Sequence, residues 1–340
     1  MILLHHLGLF DNGFIGVTFF FMLSGFVIAL SYEDKIVEQR ITHKEFFIKR
    51  IFRLYPLHIV CWIIAICLSQ LSSFTLTRVG LSFFNLFLFQ SWIPIRSIYY
   101  SFNAVSWCLS DQIFFYFAFP FIVVLINRIG KRKSFYCFAF IAVCFFLSSF
   151  FVSDKWVQAV YYIFPLSRLI DFLLGIFLYY AYKRIRQCKN YTMKGNTQIS
   201  IKNSLIEILV LLIFVAFMVC DTKVPILYVY GMYYWLPMSL LILAFACLNN
   251  RKGIMSYVLS RKIFVSLGNI SFSFYMIHTL VIQIVDRVFV KAGLNLEWYM
   301  RLAIVLVLAT GFAFLLEKKY EKPLYKYLTN RYSRKRIQQL

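Results

Sequence analysis

The sequence predicts an all-α integral membrane protein of about ten transmembrane helices with both termini cytoplasmic. Three observations predict it. Hydrophobic residues make up 61% of the 340 residues and charged residues only 15%, against roughly 45–50% and 25% in a soluble domain. Apolar runs of bilayer length recur along the whole chain. Basic residues concentrate in alternate loops. One residue in five is aromatic, and the mean hydropathy is +0.73. No soluble core could hide that much apolar surface, which excludes soluble, disordered and fibrous classes.

A span needs about 20 mostly apolar residues. Nine runs qualify, near 13–31, 55–72, 106–127, 134–153, 163–182, 204–221, 232–249, 264–285 and 300–318. Residues 1–7 read as the tail of a further span, cut short at Met1. The stretch 80–93 is apolar but only about 14 residues long, and reads as interfacial or re-entrant. The loops support this division. The set 32–54, 128–133, 183–203, 250–263 and 319–340 carries 27 of the 36 Lys and Arg residues, and the intervening set carries six. That asymmetry puts the first set inside. If 80–93 crossed, every later loop would change side and the asymmetry would collapse.

The net charge of +22 is therefore inside-loop charge rather than a nucleic-acid footprint, and the partners it implies are membrane lipids. The tail from Tyr320 to Leu340, with Arg331, Arg334, Lys335 and Arg336, reads as contact with anionic lipid. Eight cysteines lie mostly inside apolar runs with no C-x-x-C pair, so they read as small buried hydrophobes and no metal site is expected. No cleavable signal peptide is visible. No linker or repeat divides the chain, so residues 1–340 are expected to form a single transmembrane domain without an extra soluble domain.

Ionisable groups at membrane depth cost several kcal/mol unless paired or functional, so the few present carry information. His5-His6 ends the first apolar run. The pair reads either as an interfacial anchor or as a general base, since an imidazole with a pKa of about 6.5 can take a proton from a hydroxyl at neutral pH. Lys49-Arg50-Ile51-Phe52-Arg53 follows just inside the membrane. On a helix Arg50 and Arg53 share a face, and paired guanidinium forks suit phosphate, although any inside loop carries such charge. Trp107, Asp111 and Gln112 open an outside-to-inside span, where Trp belts also occur. Arg168 and Asp171 are spaced to pair within one span, as structure or as function. His278 lies at mid-span, a place for either a hydrogen-bonded core group or a site residue. Ser24, in the glycine-punctuated second run, is a wall residue of any pocket there.

Taken in order, these phrases resemble the integral-membrane acyltransferase type 3 family, known for sugar O-acetylation at the bacterial surface. The resemblance rests on four phrases spread over the whole chain: a His ahead of Gly16-Val17 and Phe20-Phe21 to Ser24-Gly25-Phe26; the basic run Lys49 to Pro56; Trp107 to Pro120; and Leu267-Gly268 through Ile270-Ser271 to His278. Three departures stand out. The family pattern places an Arg upstream of its His, ahead of Met1 here. It usually carries Glu where this chain has Gln112, with Asp111 as a neighbour that could substitute. The His is doubled, and Leu7-Gly8 favours His6 over His5.

The resemblance implies an inner-membrane O-acyltransferase. Acetyl-CoA would be the donor, with Arg50 and Arg53 on its phosphates. The acceptor would be a hydroxyl of a lipid-linked or growing surface glycan. His6 would deprotonate that hydroxyl or carry the acyl group transiently. The alternatives are acylation of a small lipid or metabolite, and glycan export without chemistry. Against export, the chain lacks the internal repeats that transporters often show.

Overall fold

The computed structural model describes residues 2–9, 12–69, 75–188, 199–247, 252–294 and 297–337. Among these there is no β-strand. In chain order the helices are α1 (Ile2–His6), α2 (Phe14–Val37), α3 (His43–Leu68), α4 (Leu76–Leu86), α5 (Arg96–Tyr99) and α6 (Trp107–Ile129). Then come α7 (Lys131–Ser148), α8 (Asp154–Val157), α9 (Pro165–Cys188), α10 (Ile201–Cys220) and α11 (Ile226–Gly231). The last are α12 (Trp235–Cys247), α13 (Ile254–Leu259), α14 (Lys262–Lys291), α15 (Trp298–Leu316) and α16 (Lys322–Ile337).

Seven segments are long and apolar enough to cross a bilayer: Phe14–Val37, His43–Leu68, Ala104–Ile129, Ile201–Lys223, Ile226–Cys247, Lys262–Lys291 and Trp298–Arg334. Asp154–Ile163 and Pro165–Gln187 make an eighth if they are one span bent by 45°. The bend has a local cause. Phe164 is extended at φ −67 and ψ 128, as the residue before a proline prefers, and Pro165 opens α9. The preceding turn Gln158–Ile163 is π-helical. The run expected at 134–153 is carried by α7, but Lys131, Arg132 and Lys133 crowd its first turn and keep it out of the seven. Each of the nine apolar runs is thus carried by helix for most of its described length. The 80–93 stretch falls on α4 and a 3-10 turn, Gln90–Trp92. At 11 residues, α4 is about 16 Å long, well short of a hydrocarbon core of about 30 Å.

The chain divides into two compact units. The first comprises Met1–Gly13, Thr42–Phe117 and Ser266–Leu340. Its apolar seam runs along one face of α14, where Ile277, Val281 and Val285 recur at helical spacing with Ile282 beside them. Leu3 and Leu7 pack on this seam together with Val305 and Ala309 of α15. The short α1 therefore holds its place by side-chain burial, since an isolated helix of that length is unstable in itself.

The second unit comprises Phe14–Ile41 and Ala118–Val265. Here α2 and α9 touch backbone to backbone. A Cβ on Gly25 would run into the carbonyl of Phe172, and one on Gly175 would run into that of Met22. Small residues allow such close approach between membrane helices, where packing rather than water exclusion drives association. The buried Glu207 of α10 accepts from the backbone N–H groups of Met255 at 2.9 Å and Ser256 at 3.3 Å, fastening the start of α13.

Candidate active site

The first unit gathers three histidines. α1 stops at a Schellman turn: the Gly8 N–H donates to the His5 carbonyl at 2.9 Å and the Leu9 N–H to the Leu4 carbonyl at 2.9 Å. Gly8 sits at φ 74, where a side chain is strained. With Leu3 and Leu7 buried in the seam, His5 and His6 are left exposed at the helix end. Gly13 abuts His5 so closely that a Cβ there would lie 2.5 Å from the His5 Cβ and Cγ.

The His5 and His6 rings are 5.4 Å apart, and the His6 and His278 rings 5.2 Å apart at an interplanar angle of 50°. His278 is 1% exposed, so an accessible imidazole lies beside a buried one. Phe274 stacks on His278 at 6.1 Å, nearly parallel. The His278 Nδ1 is 2.7 Å from the Tyr275 carbonyl oxygen. A carbonyl can only accept, so Nδ1 carries the proton and Nε2 is left as the acceptor. Among the described residues that Nε2 has no hydrogen-bond partner. The arrangement offers an acceptor lone pair beside the His6 ring.

Asn103 fixes α14 on both sides of His278. Its amide donates to the Met276 carbonyl at 2.9 Å, and the Thr279 hydroxyl donates to its Oδ1 at 3.0 Å. The Tyr275 hydroxyl adds a bond to the Val105 carbonyl at 3.1 Å. Ser106 donates to the Asn103 carbonyl at 2.7 Å and accepts from Asn85 at 3.0 Å and Gln90 at 3.2 Å. The Asn85 carbonyl in turn meets His58 Nε2 at 3.0 Å. This buried network ties α4 and the α5–α6 connection to α14. Neither Asn103 nor Asn85 stands out in the sequence, because an Asn in a loop or short helix carries no periodic signal.

Trp107, Asp111 and Gln112 all lie buried on α6, the last two completely. Neighbouring Ser110 bonds the Leu88 carbonyl and accepts from Ser91 at 2.6 Å, pinning the α4–α5 connection to the same turn of α6.

Arg50 and Arg53 sit three apart on α3, as their spacing implies, but meet different partners. The Arg50 guanidinium lies over the Phe46 ring at 5.9 Å. The Arg53 Nη1 is 3.6 Å from Oε2 of Glu321, a buried carboxylate that also accepts from the Ser273 hydroxyl. Glu321 thus links α3, α14 and the C-terminal helices. Its cationic partner across the fold is Arg53.

Ser24, Arg168 and Asp171 belong to the second unit. Ser24 lies half-buried on α2 beside Gly25. Arg168 and Asp171 form the expected pair at 3.0 Å, both 1% exposed. Neutral groups complete it: Arg168 donates to the Tyr230 carbonyl and the Thr18 hydroxyl, each at 2.8 Å, and Trp235 Nε1 donates to Asp171 at 2.6 Å. Phe21 and Tyr162 flank the guanidinium at 5.2 and 5.6 Å. So closed a pair braces α2, α9 and the α11–α12 region. Among the described residues no group of three or more His, Cys, Asp or Glu side chains is arranged to hold a metal ion.

The histidine-bearing first helix, the basic α3 and the His278 helix are three of the four phrases shared with the acyltransferases. A family profile described as an acyltransferase domain matches residues 2–318. The chain belongs to the type 3 acyltransferase family. It is similar to Acyltransferase MdmB of Streptomyces mycarofaciens, 32% identical over 295 residues, which is 80% of this chain and 68% of that protein. It is also similar to "Putative acetyltransferase ORF330" of Acidianus two-tailed virus, 28% identical over 300 residues, or 84% of this chain and 78% of that one. No solved structure matches it. As a member of the type 3 acyltransferases the chain is a multi-pass membrane enzyme that uses an acyl donor, which sets aside glycan export without chemistry.

Proposed function

We propose that this acyltransferase moves an acetyl group from acetyl-CoA to a hydroxyl of a cell-surface or lipid-linked glycan, with His6 as the base. The observation that carries the reading is the 5.2 Å approach of the His6 ring to His278, whose Nε2 is an open acceptor. A His6 N–H donated to that Nε2 fixes the His6 tautomer and leaves its other nitrogen basic and accessible. The acceptor hydroxyl gives its proton to that nitrogen as its oxygen attacks the thioester carbonyl. The C–S bond then breaks, and the proton passes from His6 to the leaving thiolate. A base positioned in this way contributes about 10²–10⁴-fold.

The donor assignment draws on Arg50 and Arg53, whose forks match phosphate, and on the word acetyltransferase in the name of one relative. The glycan assignment draws on the shared phrases. The chain acts as one transmembrane domain of about ten spans in the inner membrane, with both termini cytoplasmic, a reading supported by the distribution of its basic loops. Trp107, Asp111 and Gln112 are support residues in the unit that holds the His site, and Ser24 is a support residue of the second unit.

The test is the O-acetyl content of surface polysaccharide, measured by NMR in strains with the gene deleted, restored, and restored as His6→Ala. Loss of acetyl in the deletion and in the variant, at a normal amount of polysaccharide, is the expected result. Unchanged acetylation in all three refutes the glycan acceptor.

A further inference from the structure

The second unit contains a cavity of about 900 Å³ that the acyl-transfer reading does not use. Two helices line it. α7 contributes Lys131, Arg132 and Phe135, and the last turns of α9 contribute Phe177, Tyr180, Lys183 and Arg184. The loops that carry these basic residues, 128–133 and 183–203, both belong to the inside set by charge.

The cations are not equivalent. Lys183 is neutralised from α2: its Nζ is 3.2 Å from Glu33 and 2.7 Å from Asp34. Glu33 is buried and also held by Asn127 at 3.0 Å and by Tyr179 at 3.3 Å. Lys131 lies over the Tyr180 ring at 4.8 Å, and Arg132 donates to the Tyr136 hydroxyl at 3.3 Å. Among the described residues no carboxylate forms an ion pair with Lys131, Arg132 or Arg184. The mouth therefore presents three cations without counter-charge. Gly130 adds to it. It precedes α7 at φ 96 and offers no side-chain cap, so the first N–H groups of an 18-residue helix face the same end.

The floor is apolar. The Phe135 and Phe177 rings meet at 5.7 Å and the Phe138 and Phe177 rings at 5.0 Å. Beside the mouth an exposed apolar strip runs along α7 from Tyr136, which Arg132 contacts, through Phe140, 70% exposed, and Val143. A free phosphate or a nucleotide phosphate would match the cationic mouth but leave the strip bare. A phosphate headgroup with acyl chains matches both. From this juxtaposition we propose that the α7–α9 cavity binds one anionic phospholipid, its phosphate between Lys131, Arg132 and Arg184 and its acyl chains along the aromatic face of α7. Basic pockets between spans on the cytoplasmic side suit such lipids, because that leaflet is anionic.

The test uses full-length protein reconstituted in phosphatidylcholine nanodiscs containing phosphatidylglycerol, with lipid retention on release counted by native mass spectrometry. Wild type retains phosphatidylglycerol over phosphatidylcholine. The triple variant Lys131→Gln/Arg132→Gln/Arg184→Gln loses that preference, by about a hundredfold if each cation contributes a typical surface share. The charge-keeping variant Lys131→Arg/Arg132→Lys/Arg184→Lys retains it, which separates recognition from misfolding. Acetyl-CoA binding is measured on the same samples and is expected to be unchanged. Equal retention by wild type and the triple variant overturns the proposal. So does loss of acetyl-CoA binding with lipid retention intact, which would assign the cavity to the donor.

Discussion

His6 and His278 stand 5.2 Å apart, ring to ring, although 272 positions separate them in the chain. The contact depends on α1 being seated on the Ile277–Val281–Val285 face by Leu3 and Leu7. It joins an accessible ring to one whose Nδ1 is committed to a backbone carbonyl and whose Nε2 is open. In the proposed mechanism His278 is accordingly the positioning residue, and His6 the group that meets substrate.

A first prediction separates these roles. His278→Ala lowers kcat by about 10–100-fold and leaves the KM for the donor within about twofold, because it disturbs the orientation of the base and not donor contacts. His278→Gln can still offer an acceptor and recovers part of the loss. Steady-state kinetics on reconstituted protein checks this. Equal losses in Ala and Gln variants would reduce His278 to a packing residue.

Gly13 supplies a second. A Cβ at Gly13 would press on the His5 side chain at 2.5 Å and displace the end of α1. Gly13→Ala is expected to reduce activity by about tenfold or more while thermal stability falls by less than about 2 kcal/mol. A fully active Gly13→Ala enzyme would mean that the His5–His6 turn is not tightly placed.

The buried pair in the second unit gives a third. Removing one partner of Arg168–Asp171 strands a charge and should cost about 3–5 kcal/mol, whereas replacing both with apolar residues costs much less. Arg168→Met and Asp171→Leu each lower the unfolding temperature in detergent, and the double variant regains most of the difference. Equal destabilisation by single and double variants would contradict a role confined to bracing.

A fourth concerns the donor. Arg50→Gln raises the KM for acetyl-CoA by about five- to twentyfold, the loss of one charge-assisted contact. Arg53→Gln does the same and also destabilises, since it leaves buried Glu321 without its cation. Adding Glu321→Gln to Arg53→Gln restores stability and not donor affinity. Thermal shift and KM measured together distinguish the two effects, and recovery of both by the double variant would make Arg53 structural alone.

Much of the fold was legible in the sequence because lipid imposes length and apolarity on each span. Among the described residues each of the nine apolar runs is carried mainly by helix, and 80–93 falls on a helix too short to cross and a 3-10 turn. The run at 134–153 is carried by α7 behind Lys131, Arg132 and Lys133 in its first turn, and α7 is not among the seven candidate spans. The site was legible in part. His5, His6 and His278 could be singled out because imidazoles are rare in apolar runs, but their proximity could not, since no local pattern links residues 6 and 278. Asn103 and Glu321 were hidden as partners for the same reason: their bonds to Met276, Thr279 and Arg53 are long-range.

The most direct measurement is thiol release from acetyl-CoA by reconstituted enzyme with acceptor present, for wild type, His6→Ala and His5→Ala side by side. With His6 as the base, His6→Ala loses at least about 10²-fold while His5→Ala stays within about fivefold of wild type. Wild-type turnover by His6→Ala, or a loss confined to His5→Ala, would contradict the assignment of His6.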